Sequence, residues 1–352
     1  MLRGYLSGLF MVRLLGSLLG LAAILQLLNL LDRASIVIER GGLAGIGHYI
    51  ALRLPSLIAE MIPLAALIGA TLTFLRLSGS LEMVAMRASG LSVLQILRVL
   101  LPVCLLVSAT QFVLQTEVTP RTERAFAEWW FRTTPTPGGD PAPARLWLRS
   151  YGDLAAIDRV SLDGAHLEGL MIVQRSATGS LSARLDARSA RHQDGHWTLH
   201  DVRVARPNSN RVETRLTLDW PHGPAPANMI ELARPVSATT LGRLVATLNG
   251  QWVGARNPAF YWTQLNRVLA SLFDPVLMML LAAPILLASS RSGHGGLSAM
   301  LGLAFGLGYL VLAGLLGALG NAGILSPPIA GWAATVLFAT LGFVRLLQSE
   351  EG

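Results

Sequence analysis

The chain has 352 residues, of which 52% are hydrophobic and only 14% are charged. A soluble domain carries about 25% charged residues, so this composition excludes an ordinary soluble protein. The formal net charge of +7 comes from arginine, because the sequence contains no lysine. A Walker A loop needs a lysine, which excludes ATP hydrolysis of the P-loop type. The arginines are scattered without interleaved aromatic residues, which argues against a nucleic-acid partner.

The charge deficit falls in two blocks, one before Glu117 and one after Pro258. About 20 residues of helix cross a hydrocarbon core, and each block holds three apolar runs of that length. The predicted spans are residues 6–31, 54–75, 93–116, 260–288, 297–319 and 324–346. The first run is too long for a signal peptide and lacks a small-residue cleavage site, so we interpret it as an uncleaved span.

The region between the blocks is typical of a β domain. In "RVETRLTLDW", apolar and polar residues alternate, which predicts a half-buried strand with Val212, Leu216 and Trp220 on its inner face. Segments such as "LEGLMIVQR" and "HWTLHDVRVA" predict further strands, and turn signals separate them. The pattern favours a sandwich or jelly roll. The predicted architecture is therefore a 3+3 membrane α-helical protein (1–116 and 258–352) with an inserted all-β, jelly-roll-like domain (117–257).

The histidines of "HQDGHWTLH" and the single cysteine give no sign of a catalytic or metal centre. His192, His196 and His200 are four residues apart, which on a helix would suggest a metal site, but the flanking strands favour surface histidines. No nucleophile motif of the G-x-S-x-G type is present. Cys104 lies in an apolar run and has no second cysteine with which to form a disulfide.

The arginines near the span ends predict the orientation. Six spans place both termini on one side, and basic residues accumulate on the cytoplasmic side of a membrane. The side of the termini carries Arg3, Arg13, Arg76, Arg87, Arg98, Arg291 and Arg345. The opposite side carries Arg33, Arg40 and Arg53, partly offset by Asp32 and Glu39. We therefore expect cytoplasmic termini and a periplasmic β domain.

A short charged segment, "RLSGSLEMVAMRASGLS" (Arg76–Ser92), separates the second and third spans. Ser80 can cap a helix here and Gly90 can end it, with Glu82 and Arg87 off its apolar face. The segment is either an ordinary polar hairpin or a helix that docks into another subunit.

Glu60 falls inside the second predicted span, and Arg267 and Asp274 fall inside the fourth. Such groups are costly at membrane depth and mark a protein interior or a wet cavity. Arg267 lies two turns before Asp274 on the same helix face. Either acid could serve transport, and Asp274 could instead bond backbone groups freed by Pro275.

The string "EMVAMRASG" (Glu82–Gly90) resembles the pattern E-[LM]-x-x-[ML]-x-[AS]-x-G found between the second and third spans of the lipopolysaccharide export permeases, the LptF/LptG family. The resemblance continues in order through "LLNLLDR", "LWLRSYGDLAAIDRV", "FDPVLMMLLAAPILLASSRS" and "GILSPPIAGWAATVLF", and is strongest to the LptG branch. The loop "SSRSGHGG" departs from the family, which often has further basic residues there.

The resemblance implies a non-catalytic permease subunit that extracts lipopolysaccharide from the outer leaflet of the inner membrane and passes it to a periplasmic bridge. The implied partners are a paralogous LptF-like permease, a cytosolic LptB-like ATPase dimer, a single-span LptC-like protein and an LptA-like bridge protein. The chain would need no cofactor, because ATP and Mg²⁺ would be bound by the ATPase.

The resemblance also implies roles for individual residues. The ATPase-coupling set is Glu82, Met83, Met86, Arg87 and Gly90. The substrate-binding set comprises arginines for the lipid A phosphates and leucines for the acyl chains: Arg33, Arg40, Arg53, Leu27 and Leu30. For Arg33, a simple interfacial anchor that extends to water is the alternative.

Three other functions remain open. A membrane enzyme acting on envelope lipids would need a catalytic cluster, and a scaffold for the β domain would not need six spans. A lipoprotein-release permease would place its external domain after the first span.

Overall fold

The computed structural model describes residues 2–80, 82, 86, 92–132, 146–150, 153–161, 164–175, 181–193, 195–207, 212–221, 223–226, 229, 240–248, 257–287 and 295–351. Within them, six helices are long and apolar enough to cross a membrane. They are span 1 (Gly4–Glu39), span 2 (Gly41–Ser78), span 3 (Val93–Trp130), span 4 (Pro258–Ile285), span 5 (Ala299–Asn321) and span 6 (Pro327–Gln348). The predicted six-span architecture is confirmed.

Spans 1 and 2 form one helix, α1 (Leu2–Ser78), which is interrupted only at Gly42. Gly42 has φ 58° and ψ −155°, a conformation that residues with a side chain rarely adopt. The chain therefore turns between two spans without a loop. Pro55 and Pro63 both lie inside the second half of this helix.

Span 3 continues beyond its predicted end at Thr116, so that prediction is wrong. Helix α2 (Val93–Val113) passes through a π-helical turn (Leu114–Val118) into α3 (Thr119–Arg132). The sequence becomes polar here, but polarity alone does not stop a helix, and Pro120 falls in the first turn of α3, where it is tolerated. The predicted limits of the three domains stay a prediction; by contacts, the helical unit includes the chain as far as Thr133.

The second half of the chain adds a short helix and the last three spans. Helix α4 covers Leu241–Leu248. Span 4 consists of α5 (Pro258–Ala270), a 3₁₀ turn (Ser271–Phe273), α6 (Asp274–Ala282) and a second 3₁₀ turn (Ala283–Leu287). Spans 5 and 6 lie in α7 (Gly295–Asn321) and α8 (Pro327–Glu351).

A single apolar core joins the helical unit. Its fully buried members come from all six spans and include Phe10, Phe74, Leu100, Met278 and Leu346. Some glycines of span 5 allow close packing. Gly306 lies against Leu67 and Gly317 against Arg267, whereas a Cβ at Gly314 would meet nothing within 4 Å.

The second compact unit contains six antiparallel strands that form one unclosed sheet. The strands are β1 (Leu146–Ser150), β2 (Asp153–Val160), β3 (His166–Arg175), β4 (Leu181–Gln193), β5 (His196–Ala205) and β6 (Glu213–Trp220). Each pairs with its neighbour in sequence, in the order β1 to β6. The inserted all-β domain is confirmed. Among the described strands the topology is a meander, because short connections join adjacent strands.

One face of this sheet buries an apolar core that includes Ile157, Ile172 and Leu199. Trp197 and Trp220 pack together in it, with ring centroids 6.4 Å apart. The predicted inner face of β6 is wrong in part, since Val212 is 60% and Leu216 82% exposed. Strand β6 is an edge of the described sheet, so periodicity alone does not decide whether its apolar side is covered.

Replacing Gly69 with alanine should lower the thermal stability of the purified chain in detergent. The added Cβ would lie 2.8 Å from Leu14 Cα, so spans 1 and 2 must separate, at a cost of about 1–3 kcal/mol. Gly20→Ala is the matched control, because its Cβ meets nothing within 4 Å. The control should be neutral or slightly stabilising, since alanine favours helix. Equal melting temperatures for the two variants would contradict close packing at Gly69.

Candidate functional site

Glu82 lies at the end of the helical unit where span 2 ends and span 3 begins. Helix α1 stops at Ser78, and the Ser80 hydroxyl donates to the Leu77 carbonyl at 3.0 Å. Glu82 is exposed, and its two carboxylate oxygens accept from the Tyr5 hydroxyl at 3.2 and 3.3 Å. The contact links the start of span 1 to the segment between spans 2 and 3, while the carboxylate stays available to a further donor.

Met86 shows how this segment is attached to the bundle. Its side chain is 7% exposed and belongs to the apolar core of the helical unit. Span 3 then begins at Val93, after the capping residue Ser92. The Ser92 hydroxyl accepts from the Gln95 backbone, and the Gln95 side chain accepts from the Ser92 backbone. The segment therefore has an exposed acid four residues from a buried anchor. The predicted coupling residues Met83, Arg87 and Gly90 lie outside the described residues.

At the opposite end of spans 2 and 3, Arg53 forms an ion pair with Glu123. The atoms Nη1 and Oε1 are 2.8 Å apart, and the side chains are 28% and 11% exposed. The guanidinium also lies over the Phe126 ring, 5.3 Å from its centroid. Glu123 and Phe126 come from α3, the part of span 3 that extends beyond the predicted end. The structure thus gives the predicted phosphate ligand Arg53 a carboxylate partner within the chain.

Arg33 lies at the same end, on span 1. It is exposed, and its guanidinium carbon is 5.7 Å from the centroid of the Trp130 ring. Trp130 packs on Phe126 (5.6 Å between centroids), and Trp129 contacts His48 (5.2 Å). We call the set that joins spans 1 to 3 here the arginine–aromatic cluster; it comprises Arg33, His48, Tyr49, Arg53, Glu123, Phe126, Trp129 and Trp130.

The remaining predicted substrate residues lie on span 1. Leu27 is 57% exposed and Leu30 is half-buried, so both present apolar surface below Arg33. Arg40 belongs to the helix backbone, but its side chain lies outside the described residues.

Asp274 is part of a buried polar cluster between spans 4, 5 and 6. Its Oδ1 accepts a 2.5 Å hydrogen bond from the Tyr309 hydroxyl, which is 3.2 Å from the Thr335 hydroxyl. Gln111 of span 3 approaches Asp274, although neither of its amide atoms makes a hydrogen bond of good geometry within the described chain. Because hydrocarbon offers no water, these contacts hold the spans together.

Arg267 and Glu60 are in different surroundings from Asp274. Arg267 packs its guanidinium on Gly317 of span 5, where a Cβ would lie 2.7 Å from Cζ. It also interacts electrostatically with Asp274, as their shared helix face predicts. Glu60 is exposed on span 2 and lies within the electrostatic reach of Arg53 and Glu123. Glu60 thus belongs with the arginine–aromatic cluster rather than with Asp274.

Sequence reasoning missed Glu123, the aromatic residues of α3, Tyr309 and Thr335. The run "ERAFAEWWFR" carried a signal, because its acidic and aromatic residues recur at helical spacing. Nothing local distinguishes Tyr309 or Thr335, since their role arises only when spans 5 and 6 pack on Asp274.

Six spans, an inserted β domain and charged features at both ends of the helical unit define a multi-pass membrane protein with a large domain outside the spans. The family model of the lipopolysaccharide export system permeases LptF/LptG matches residues 4–348, and the chain belongs to this family. It is 26% identical over 289 residues to the lipopolysaccharide export system permease protein LptG of Escherichia coli strain K12, covering 78% of each chain. The LptG protein of Escherichia coli O6:H1 gives the same values.

Family membership bears on the rival functions. It places the protein in the inner membrane as a lipopolysaccharide export permease, and decides against a lipoprotein-release permease.

Replacing Glu123 with glutamine should destabilise the helical unit by about 1–2 kcal/mol, because Arg53 then keeps a partly buried charge without its carboxylate. Thermal unfolding in detergent measures the effect. Glu117→Gln is the matched control: it removes an ion pair with Arg121 whose partners are 46% and 69% exposed, and it should change stability by under about 0.5 kcal/mol. Equal losses from both substitutions would show that the Arg53 pair contributes no more than a surface pair.

Proposed function

We propose that the chain is one permease subunit of an ATP-driven transporter that extracts lipopolysaccharide from the outer leaflet of the inner membrane and passes it to a periplasmic bridge. The observation that carries the proposal is the placement of two charged features at opposite ends of the same helices. Arg53 and the end of α1 at Ser78 are 25 residues apart, which is about 38 Å of helix. A force applied near Glu82 can therefore reach the arginine–aromatic cluster along the continuous helix of span 2.

Glu82 is the residue we propose as the contact to a cytosolic LptB-like ATPase dimer. Its carboxylate is exposed, whereas Met86 four residues later is buried in the core. A basic residue of the ATPase would pair with Glu82, and the anchored segment would transmit the closure of the ATPase to spans 2 and 3. ATP and Mg²⁺ belong to that subunit in this proposal. Because the chain lacks lysine, a P-loop of its own is excluded.

The arginine–aromatic cluster is the proposed site for the lipid A phosphates. Arg33 is exposed, and a guanidinium matches two phosphate oxygens in one plane. Arg53 is paired with Glu123, so its role is to fix the position of span 2, and Arg33 is the direct ligand. The cluster would lie on the periplasmic side. The opposite end carries the termini and is rich in arginine, as expected for a cytoplasmic side.

Spans 1 and 5 are the proposed walls of the entry gate. In the most apolar 18-residue stretch of spans 1 and 5, only 22% and 17% of the residues are buried, compared with 61% for span 2. Their exposed apolar side chains include Leu19, Leu27, Leu28, Leu307 and Val311. Such surfaces suit acyl chains and the corresponding spans of an LptF-like permease. A single-span LptC-like protein and an LptA-like bridge complete the proposed assembly.

Glu82→Ala should abolish lipopolysaccharide release from proteoliposomes and reduce co-purification of the ATPase with the tagged chain. Tyr5→Phe is the matched control, because it removes the hydroxyl that binds Glu82 and keeps the carboxylate. The control should retain the ATPase and transport. Normal transport by Glu82→Ala with the ATPase bound would falsify the coupling role. A chain that purifies without any ATPase would favour the enzyme or scaffold alternatives.

Arg33→Ala should weaken photocrosslinking of lipopolysaccharide to the assembled transporter by about tenfold, the loss expected for one charge-assisted hydrogen bond. Arg33→Lys should restore part of it, since the charge stays but the planar contact with Trp130 is lost. Arg98→Ala, an exposed arginine near the start of span 3, is the control and should leave crosslinking unchanged. Undiminished crosslinking in Arg33→Ala would leave Arg33 as an interfacial anchor only.

A further inference from the structure

A cavity of about 150 Å³ lies between spans 4, 5 and 6 and belongs to none of the sites described above. Leu281 and Pro284 line it from span 4, Leu301 and Phe305 from span 5, and Leu341 and Arg345 from span 6. Span 4 ends, span 5 begins and span 6 ends around it, so it lies at the end of the helical unit that carries the C-terminus. The arginine–aromatic cluster lies at the other end.

Two glycines make room for this cavity. A Cβ at Gly302 would lie 3.1 Å from the Leu281 carbonyl oxygen, and a Cβ at Gly342 would lie 3.1 Å from Leu280 Cγ. Span 5 therefore approaches the backbone of span 4 closely, and span 6 approaches the leucine side chains of span 4. The larger side chains on either side, Leu301, Phe305 and Leu341, then enclose a space that the glycines leave unfilled.

The residues around the cavity indicate whether water or lipid occupies it. Two of the lining residues are also exposed at the surface of the helical unit, Leu301 at 42% on span 5 and Leu341 at 40% on span 6. This surface faces hydrocarbon when the spans cross a bilayer. The cavity has the volume of about five water molecules, but most of its lining is apolar, and Arg345 supplies the only polar side chain among the lining residues, so water would have few partners there. A lipid acyl chain is the group that both reaches the space and matches its walls.

Arg345 places a positive charge at the mouth of the same cavity. Its guanidinium carbon is 5.4 Å from the centroid of the Phe305 ring, and the residue lies three positions before the end of span 6 at Gln348. Side chains at that depth reach the headgroup layer. Guanidinium groups match phosphate oxygens, and basic pockets between spans attract anionic headgroups.

We propose that this cavity binds one acyl chain of an anionic phospholipid, with the phosphate of its headgroup on Arg345. The lipid belongs to the leaflet on the side of the termini, which is cytoplasmic if the proposed function holds. It is distinct from the transported lipopolysaccharide, which is extracted from the other leaflet. An acyl chain wedged between spans 4, 5 and 6 would brace the base of span 5, a proposed wall of the gate.

The test is photolabelling of the full chain in nanodiscs that contain a trace of phosphatidylglycerol with a diazirine in its acyl chain, with phosphatidylcholine of the same chains as comparison. The phosphatidylglycerol probe should label peptides around Leu301 and Leu341 about fivefold more than the phosphatidylcholine probe, the preference expected for one arginine near the surface. Arg345→Gln should remove this preference, and Arg345→Lys should retain most of it. Leu301→Trp fills the cavity and should reduce labelling by both probes.

Arg98→Gln is the matched control, since Arg98 is exposed on span 3 and does not line the cavity. It should keep the preference. Equal labelling by both probes in the unaltered chain, or an unchanged preference in Arg345→Gln, would overturn the headgroup contact. Labelling that persists in Leu301→Trp and in the smaller change Leu301→Phe would overturn the acyl site. The assay needs no ATPase, so its failure is distinguishable from failure of the proposed transport function.

Discussion

The absence of water from the hydrocarbon core is the constraint on which the helical unit depends. Backbone groups are satisfied within the helices, and polar side chains must find one another. Asp274 does so with Tyr309, Ser271 with Gln115, and Asn266 with Trp332. These pairs connect spans 3, 4, 5 and 6. Together with the common apolar core, they fix how spans 3 to 6 are aligned with one another. Spans 1 and 5 nevertheless keep wide exposed faces.

The arginine–aromatic cluster and Glu82 differ in how their charges are held, and this difference separates their roles. Arg53 is partly buried and satisfied by Glu123, so it contributes to the packing of span 3 on span 2. Arg33 and Glu82 are exposed. In the part of the chain that the structure describes, Arg33 lies over the Trp130 ring and Glu82 accepts from the Tyr5 hydroxyl. Groups held in this way can exchange their present contact for a charged ligand at modest cost. The two ends of the bundle thus combine a fixed ion pair with adaptable charges.

Sequence alone predicted the six spans and the inserted β domain, because hydrophobic length and alternation are local properties. It also placed Arg267 and Asp274 on one helix face, and in the structure Arg267 lies within electrostatic reach of Asp274. It could not predict that the helix of span 3 continues through α3, because α3 is stabilised by partners on span 2, such as Arg53 and His48. It also gave Leu216 an inner position, although whether an edge strand is covered depends on the rest of the domain.

The turn at Gly42 has a mechanical consequence. Spans 1 and 2 are connected by one glycine rather than by a loop, so the angle between them is set by two backbone torsions. From Gly42 to Gly4, span 1 is a lever of 38 residues, or about 57 Å. A rotation of about 5° at this hinge displaces the far end of span 1, beside Tyr5 and Glu82, by about 5 Å. Any change in the Gly42 torsions would therefore be amplified along span 1, and the packing of Leu14 against Gly69 is a contact that resists it.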